Sequence, residues 1–260
     1  MRHNFGNTVC VTSQVGCNMG CAFCASGQLK KVRDLTCKEM VAQVEAVAEE
    51  IAQEGAETEQ EEGHTSRYIT HIVLMGIGEP LDNLTNVQPF LETMMDQQSY
   101  NIAPRKITLS TCGLVPGIKR LADSGLKNKL AISLHGATDE VRNQLMPINR
   151  KYPLDELFEA VDYYIDKTNS RVALEYIMID GLTDTLEQAQ SLVNRIGKYR
   201  KKIMVNLIPY NAVDGVHFKR SSKENIQAFF EYLIRRKIFT FRREEKGSDV
   251  KAACGQLRSR

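Results

Sequence analysis

The 260-residue chain has no tryptophan, few prolines (seven) and few histidines (five), and no run of about 18 apolar residues. The missing apolar run excludes a membrane-spanning helix. The start, Met1-Arg2-His3-Asn4-Phe5-Gly6, carries a basic residue with no apolar stretch behind it, so it does not read as a secretory signal. Repeats and low-complexity linkers are absent too, and a single domain over residues 1–260 is expected. Hydrophobic residues make up 42% and charged residues 25%, which suits a globular chain with a sizeable core. What is plentiful is cysteine. Seven is an odd number and four of the seven lie between residues 10 and 24, whereas a disulfide framework spreads an even number over a small chain. The crowding points to metal binding or catalysis in a cytoplasmic protein.

Charge is unevenly placed. From Arg195 to Arg260 there are 17 Lys/Arg against 6 Asp/Glu, a surplus of 11; the other 194 residues hold 17 against 26, a deficit of 9. A basic C-terminal third suits a polyanionic partner, although solvated helix faces explain the same count.

Short β-rich runs alternate with longer helical patterns. Strands are expected at Thr8–Thr12, Ile69–Met75, Lys106–Ser110, Lys129–Leu134, Val172–Met178, Ile203–Ile208 and Ile238–Phe241. Helices are expected near Thr36–Glu54, Val87–Met95, Leu114–Ala122, Leu154–Thr168, Leu186–Ile196 and Lys223–Arg235, the first opened by a capping box of Thr36 and Glu39. This alternation implies right-handed βαβ units and an α/β fold, a partial (β/α)6 barrel with short terminal extensions. Chemistry then belongs at the C-terminal ends of the strands. Polar, glycine-rich sequence falls there five times: the cysteines, Gly76-Ile77-Gly78-Glu79-Pro80, Ser110-Thr111-Cys112-Gly113, Ser133-Leu134-His135 and Asn206 to Asn211. The acidic segment from Glu57 to Gly63 reads as a mobile surface loop.

Cys17-x-x-x-Cys21-x-x-Cys24 is the sharpest signal. Three thiolates on one loop hold three irons of a 4Fe-4S cluster, leaving the fourth iron open to substrate. Gly16 and Gly20 let the backbone wrap around it, and Phe23 shields it or simply packs in the core. Glu79 can accept an ammonium group. A structural zinc site completed by Cys10 or Cys37 is the alternative, but such sites come as two ligand pairs rather than one triplet.

With these residues the chain resembles the RlmN/Cfr family of radical S-adenosylmethionine (SAM) RNA adenine methyltransferases, on the RlmN side. The likeness runs from Cys10 to Gln256. It is carried by Cys10-Val-Thr-Ser-Gln-Val-Gly-Cys17, Met75-Gly-Ile-Gly-Glu-Pro80, Ser110 to Gly113, Ser133 to His135, Met146-Pro-Ile-Asn149, Glu175-Tyr176, Asn206 to Asn211 and Ala252-Ala-Cys-Gly-Gln-Leu257. The resemblance implies Cys17, Cys21 and Cys24 as cluster ligands, and Gly78, Glu79, Ser110, Ser133, Leu134, His135 and Asn211 as the SAM site. It implies Cys254, on a C-terminal loop of residues 246–260, as the methyl carrier (S-methylcysteine), and Cys10 as the cysteine that resolves the RNA-linked intermediate through a disulfide. Carbon 2 of adenine lies between two ring nitrogens, is electron-poor and does not attack a methyl donor, which accounts for a thiolate relay and a radical step. The implied substrates are adenosines of large-subunit rRNA and of tRNA, the implied electron donor is one such as flavodoxin, and the implied state is a monomer. Family members begin with a helical accessory domain, including a glutamate base, that no part of this sequence matches, so a shortened chain or a fragment is expected. Lys251 stands where the family has Asp. Cys37 and Cys112 read as packing thiols. Two other readings stay open: a radical SAM enzyme with another substrate, and a zinc-stabilised RNA-binding module.

Overall fold

The computed structural model describes residues 1–3, 6–54, 68–243 and 255–257. The strands are β1 (Arg2–His3), β2 (Gly6–Cys10), β3 (Gln14–Val15), β4 (Arg33–Asp34), β5 (His71–Leu74), β6 (Ile107–Thr111), β7 (Lys129–Ser133), β8 (Val172–Met178), β9 (Ile203–Pro209) and β10 (Phe239–Arg242). The helices are α1 (Cys37–Glu54), α2 (Leu84–Met95), α3 (Val115–Asp123), α4 (Asp139–Leu145), α5 (Leu154–Thr168), α6 (Leu186–Ile196) and α7 (Lys223–Arg235). One sheet runs β1-β2-β5-β6-β7-β8-β9-β10, parallel throughout except for antiparallel β1. Helices bridge the parallel strands, which is the expected partial barrel. The seventh parallel strand, β10, is the peripheral one. The expected acidic loop of residues 57–63 lies outside the described residues. Among the described residues no helix is long and apolar enough to cross a membrane.

Alternation along the strands sorts side chains onto two faces. Ile72, Leu74, Ile107, Leu109, Leu130, Ile132, Leu174, Val205 and Leu207 join the main core, packed against the helices. Their neighbours face the concave side, where bulk is small: Ser110, Ala131 and Ala173 share one register row. The next row reads Ser133, Glu175, Asn206 and Phe241. Branched side chains pack the centre of a full barrel solid. Here the small and polar rows leave the concave face able to take a ligand.

The sequence pattern does not announce two features. β3 and β4 form a two-residue antiparallel ribbon that closes the base of the cysteine loop. α4 is a seven-residue helix capped by the Thr138 side chain, which accepts from the amide of Val141. The capping box of α1 is formed as expected: the Thr36 amide donates to Glu39 at 2.9 Å and the Glu39 amide to the Thr36 hydroxyl at 3.3 Å. Replacing Thr36 by Ala is expected to cost about 1 kcal/mol in urea unfolding. An unchanged midpoint would show that the cap does not support the helix.

Candidate active site

The three cysteines sit on the loop that leaves β3, and its backbone is held at several points. Gly16 has φ +75°, and a Cβ there would lie 2.1 Å from the Lys30 carbonyl oxygen, so only glycine fits. The Cys17 amide donates to Leu29 O at 3.2 Å, the Cys24 amide to Cys21 O at 3.2 Å, and the Ala22 amide to Leu145 O, at the end of α4, at 2.8 Å. Lys31 Nζ bridges Asp34 at 2.9 Å and Asp82 at 2.8 Å. Gln14 Nε2 donates to the same two carboxylates, and Gln14 Oε1 accepts from the Glu79 amide at 2.9 Å. The loop is thereby tied to the Gly-Glu-Pro turn.

Burial pushes the Cys17 and Cys21 thiols above their ordinary range, and neighbouring cysteines raise them further as potential anions. A cation shared by these sulfurs reverses both effects, because metal ligation deprotonates thiols. Among the described residues no three His, Cys, Asp or Glu side chains converge on a single ion. A cluster asks something different, since each thiolate takes its own iron. The donor set and its spacing fit a 4Fe-4S cluster with one iron lacking a protein ligand.

Around the loop stand the other expected residues. Glu79 is 2% exposed; its carboxylate accepts the amides of Leu81 at 3.0 Å and Cys112 at 2.7 Å. Burial raises its pKa on balance, against the two amides and the Cys112 and Thr111 side chains, which lower it. The carboxylate therefore stands at the strand ends with polar groups at the end of β6 turned toward it. Gly78 has φ +105°, with Gln14 packed where a Cβ would stand, so the turn requires glycine. Ser110 and Ser133 are half-buried on the concave face, and Leu134 is buried. Asn211 is half-buried just past β9. His135 takes a left-handed conformation, φ 55°, and its Nδ1 accepts from the Ile177 amide at 3.2 Å, which assigns the ring proton to Nε2. Its ring meets Phe23 edge-on, with centroids 4.7 Å apart. Burial, then the Arg142 cation, lowers its pKa to about 3, so the ring is neutral.

Cys10 is exposed at the end of β2, and alternation with buried Val9 turns it to the concave face. Cys254 and Lys251 lie outside the described residues. The described part of the C-terminal segment begins one residue after Cys254 and is fastened to the cysteine loop. The Ala25 amide donates to Gly255 O at 2.8 Å, and the Ser26 hydroxyl donates to Leu257 O at 2.5 Å. Gln256 Nε2 reaches Ala212 O, beside Asn211, at 3.0 Å. Thus the two ends of the sequence meet at residue 25, next to Cys24.

The residue that sequence reasoning missed is Arg142. It is fully buried, and among the described residues no carboxylate forms an ion pair with its guanidinium. Its Nε donates to Leu134 O at 3.0 Å, Nη1 to Asn149 Oδ1 at 2.8 Å, and Nη2 to Cys112 O at 2.6 Å and Ser133 O at 3.4 Å. One planar group therefore joins the ends of β6 and β7 to the helix that docks the cysteine loop. Desolvation lowers its pKa to about 10, which still leaves it charged at neutral pH.

Comparison with known proteins fits this geometry. The Radical SAM superfamily model matches residues 11–193. The chain is 48% identical over its whole length to a probable dual-specificity RNA methyltransferase RlmN of Enterococcus faecalis, covering 71% of that protein. It is 46% identical, again over its whole length, to the counterpart from Streptococcus thermophilus, covering 64%. The chain belongs to the radical SAM superfamily, in its RlmN family. It also superposes on the crystal structure of a radical SAM methyltransferase from Sphaerobacter thermophilus with a TM-score of 0.91 and 41% identity, covering 99% of this chain and 72% of that one. The chain thus spans about two thirds of the length of these RlmN relatives. Radical SAM proteins work with a 4Fe-4S cluster, as the cysteine spacing leads one to expect, and with SAM, as the resemblance implies.

Two results are expected from this site in the cluster-free protein. Arg142→Met strands four acceptors in the interior and should cost at least about 3 kcal/mol in urea unfolding, with Arg142→Lys recovering only part, since an ammonium cannot reproduce the fork. Equal stability of the Met variant would remove Arg142 from its bridging role. The second concerns pH. A folded pKa near 3 for His135, against 6.5 unfolded, means that the unfolded chain binds the extra proton first. Stability is then full above about pH 6.5 and falls as the pH drops toward 3. His135→Asn, which tolerates the left-handed backbone, should flatten the curve in that window; an unchanged slope would assign it to other groups.

Proposed function

We propose that this protein methylates carbon 2 of adenosine in RNA through a methyl group carried on Cys254. The observation that carries this reading is the fastening of Gly255 to Ala25, which brings the residue after Cys254 against the residue after Cys24. A methyl-carrying thiol has to reach the place where cluster and SAM meet, and the residue that follows Cys254 is held beside the cysteine loop.

Cys17, Cys21 and Cys24 hold the cluster. Gly78, Glu79, Ser110, Ser133, Leu134, His135 and Asn211 hold SAM, with the Glu79 carboxylate taking its ammonium. Cluster and SAM together supply the methyl group and the one-electron chemistry that makes a carbon radical. The chain's own residues do the rest. Cys254 accepts the methyl on sulfur and presents it to the base. Cys10, on the concave face, attacks the Cys254 sulfur once that methyl carbon is joined to the adenine. The unpaired electron of the adduct returns to the one-electron chemistry that the cofactors supply, and the ring proton leaves. A disulfide then forms as the bond from sulfur to carbon breaks, and the carbon that keeps the bond's electron pair takes up a proton to become the methyl group of the aromatic base. His135, neutral and hydrogen-bonded through Nδ1, offers a donor at Nε2 rather than a charge. The substrates are adenosines of large-subunit rRNA and tRNA, met in the cytoplasm by a monomer, with reducing power from an external donor such as flavodoxin. The basic C-terminal third suits an RNA partner.

Anaerobically prepared protein should contain about four irons and four sulfides per chain; stoichiometric zinc would support a structural metal site instead. Peptide mass spectrometry should find one added CH2, about 14 Da, on the Cys254 peptide after SAM treatment. An unmodified peptide from cluster-loaded protein would leave only a radical SAM enzyme of another kind. Cys10→Ala should accumulate a covalent protein–RNA adduct, and turnover without one would remove Cys10 from its role.

A further inference from the structure

The open edge of the sheet carries a feature that the cofactor site does not use. β10 has one neighbour, β9, and its other edge is unpaired among the described residues. Ile238 and Thr240 face the helices and are buried, whereas Phe239 and Phe241 are 54% and 46% exposed. The two rings pack edge to face with centroids 4.8 Å apart. Register fixes where they point. Phe241 is level with Asn206, Glu175 and Ser133, and Phe239 with Met204, Ala173, Ala131 and Ser110, so the exposed rings continue two concave rows that end at residues assigned to SAM. At about 4.8 Å between strands, Phe241 stands about 14 Å from Ser133 along its row.

The surroundings are cationic. Arg243, two residues beyond Phe241 and on the same face, reaches Glu175 at 3.4 Å; Asn206 Nδ2 donates to the other Glu175 oxygen at 2.8 Å. The buried carboxylate is therefore matched and does not repel an anion. Lys237, just before the pair, is exposed and lies within the C-terminal third that carries the surplus of basic residues, whereas Arg242 turns to the other face, donating to Gln227 and lying over the Phe230 ring of α7. Exposed aromatic faces beside cations, on the face that leads to the reactive centre, are the parts from which single-strand binding sites are made. Bases stack on the rings, and phosphates meet the cations.

We infer that Phe239 and Phe241 form a stacking platform for an unpaired base next to the target nucleotide, on the path by which single-stranded RNA enters the concave face. The inference rests on the reading of the protein as an RNA methyltransferase. A platform of this kind is tolerant of base identity, since every base offers a π face, so it positions the strand and leaves choice of the target to the interior.

The test is binding of a short, fluorescently labelled, adenine-rich single-stranded RNA, followed by anisotropy over a salt series. The doubly substituted protein Phe239→Leu, Phe241→Leu keeps apolar bulk but loses the π faces. Its affinity should drop about ten-fold at every salt concentration, with an unchanged slope against salt because no phosphate contact is removed. Phe241→Trp should bind at least as tightly as the parent protein. Lys237→Gln should instead reduce the salt slope. Equal affinity of the Leu variant and the parent overturns the platform, and so does RNA binding by neither. Loss of binding only as a shift in oligomeric state, read by light scattering, also overturns it and assigns the pair to contact between copies. Methylation of the Cys254 peptide, measured on the same samples without RNA, reports separately on the reading beneath. A methylated peptide with no effect of the Leu substitutions sinks the platform alone.

Discussion

The arrangement depends on one buried cation. Arg142 sits where the ends of β6 and β7 meet α4, and it satisfies backbone carbonyls on both strands that their own ladder no longer reaches. Those carbonyls belong to Cys112, Ser133 and Leu134, so the group that ties the strand ends together also sets residues assigned to SAM. A buried guanidinium without a carboxylate is costly unless its donors are used, and here they meet polar oxygens in a fixed fork. Asn149, which accepts from Arg142, is itself held, its amide donating to Asp139 at 2.8 Å and Asn143 at 2.9 Å. From the same helix, Leu145 O receives the Ala22 amide of the cysteine loop. The cysteine loop, the SAM-site strands and the Met146–Asn149 turn are thus parts of one assembly.

Much of this was legible in the residues. The seven parallel strands and six of the seven helices were readable because their apolar periodicity is long or their caps explicit, as with Thr36 and Glu39. The cysteine spacing was readable because it is local. Polar residues inside otherwise apolar strands, such as Asn206 between Val205 and Leu207, marked the concave face without saying what it faced. Arg142 was not legible: an arginine in a seven-residue helix reads as a solvated face, and only the tertiary packing shows four acceptors closing on it. The β3–β4 ribbon was too short to leave a periodic signal. The strand at Ile238–Phe241 was readable, but the exposure of Phe239 and Phe241 follows from β10 being an edge, which only the topology shows.

The ends of the sequence meet where the chemistry belongs. Cys10 closes the first parallel strand and Gly255 is bonded to Ala25, so a fold that spaces these residues widely in sequence returns both to the rim of the concave face. A half-open barrel permits this, because its interior is a surface lined by small and polar side chains instead of packed layers. The same openness leaves the edge strand free to present its rings beside that surface. The residues assigned to the cofactor and the proposed strand platform then share the concave face of the sheet.

The central claim is that the methyl reaches the base by way of Cys254. The most direct measurement is anaerobic turnover of the cluster-loaded chain with SAM, a reductant and RNA, comparing the parent with Cys254→Ala and analysing the nucleosides released from the RNA. The account predicts 2-methyladenosine from the parent and none from the Cys254 variant, whose cluster content is unchanged. Formation of 2-methyladenosine by the variant would contradict it.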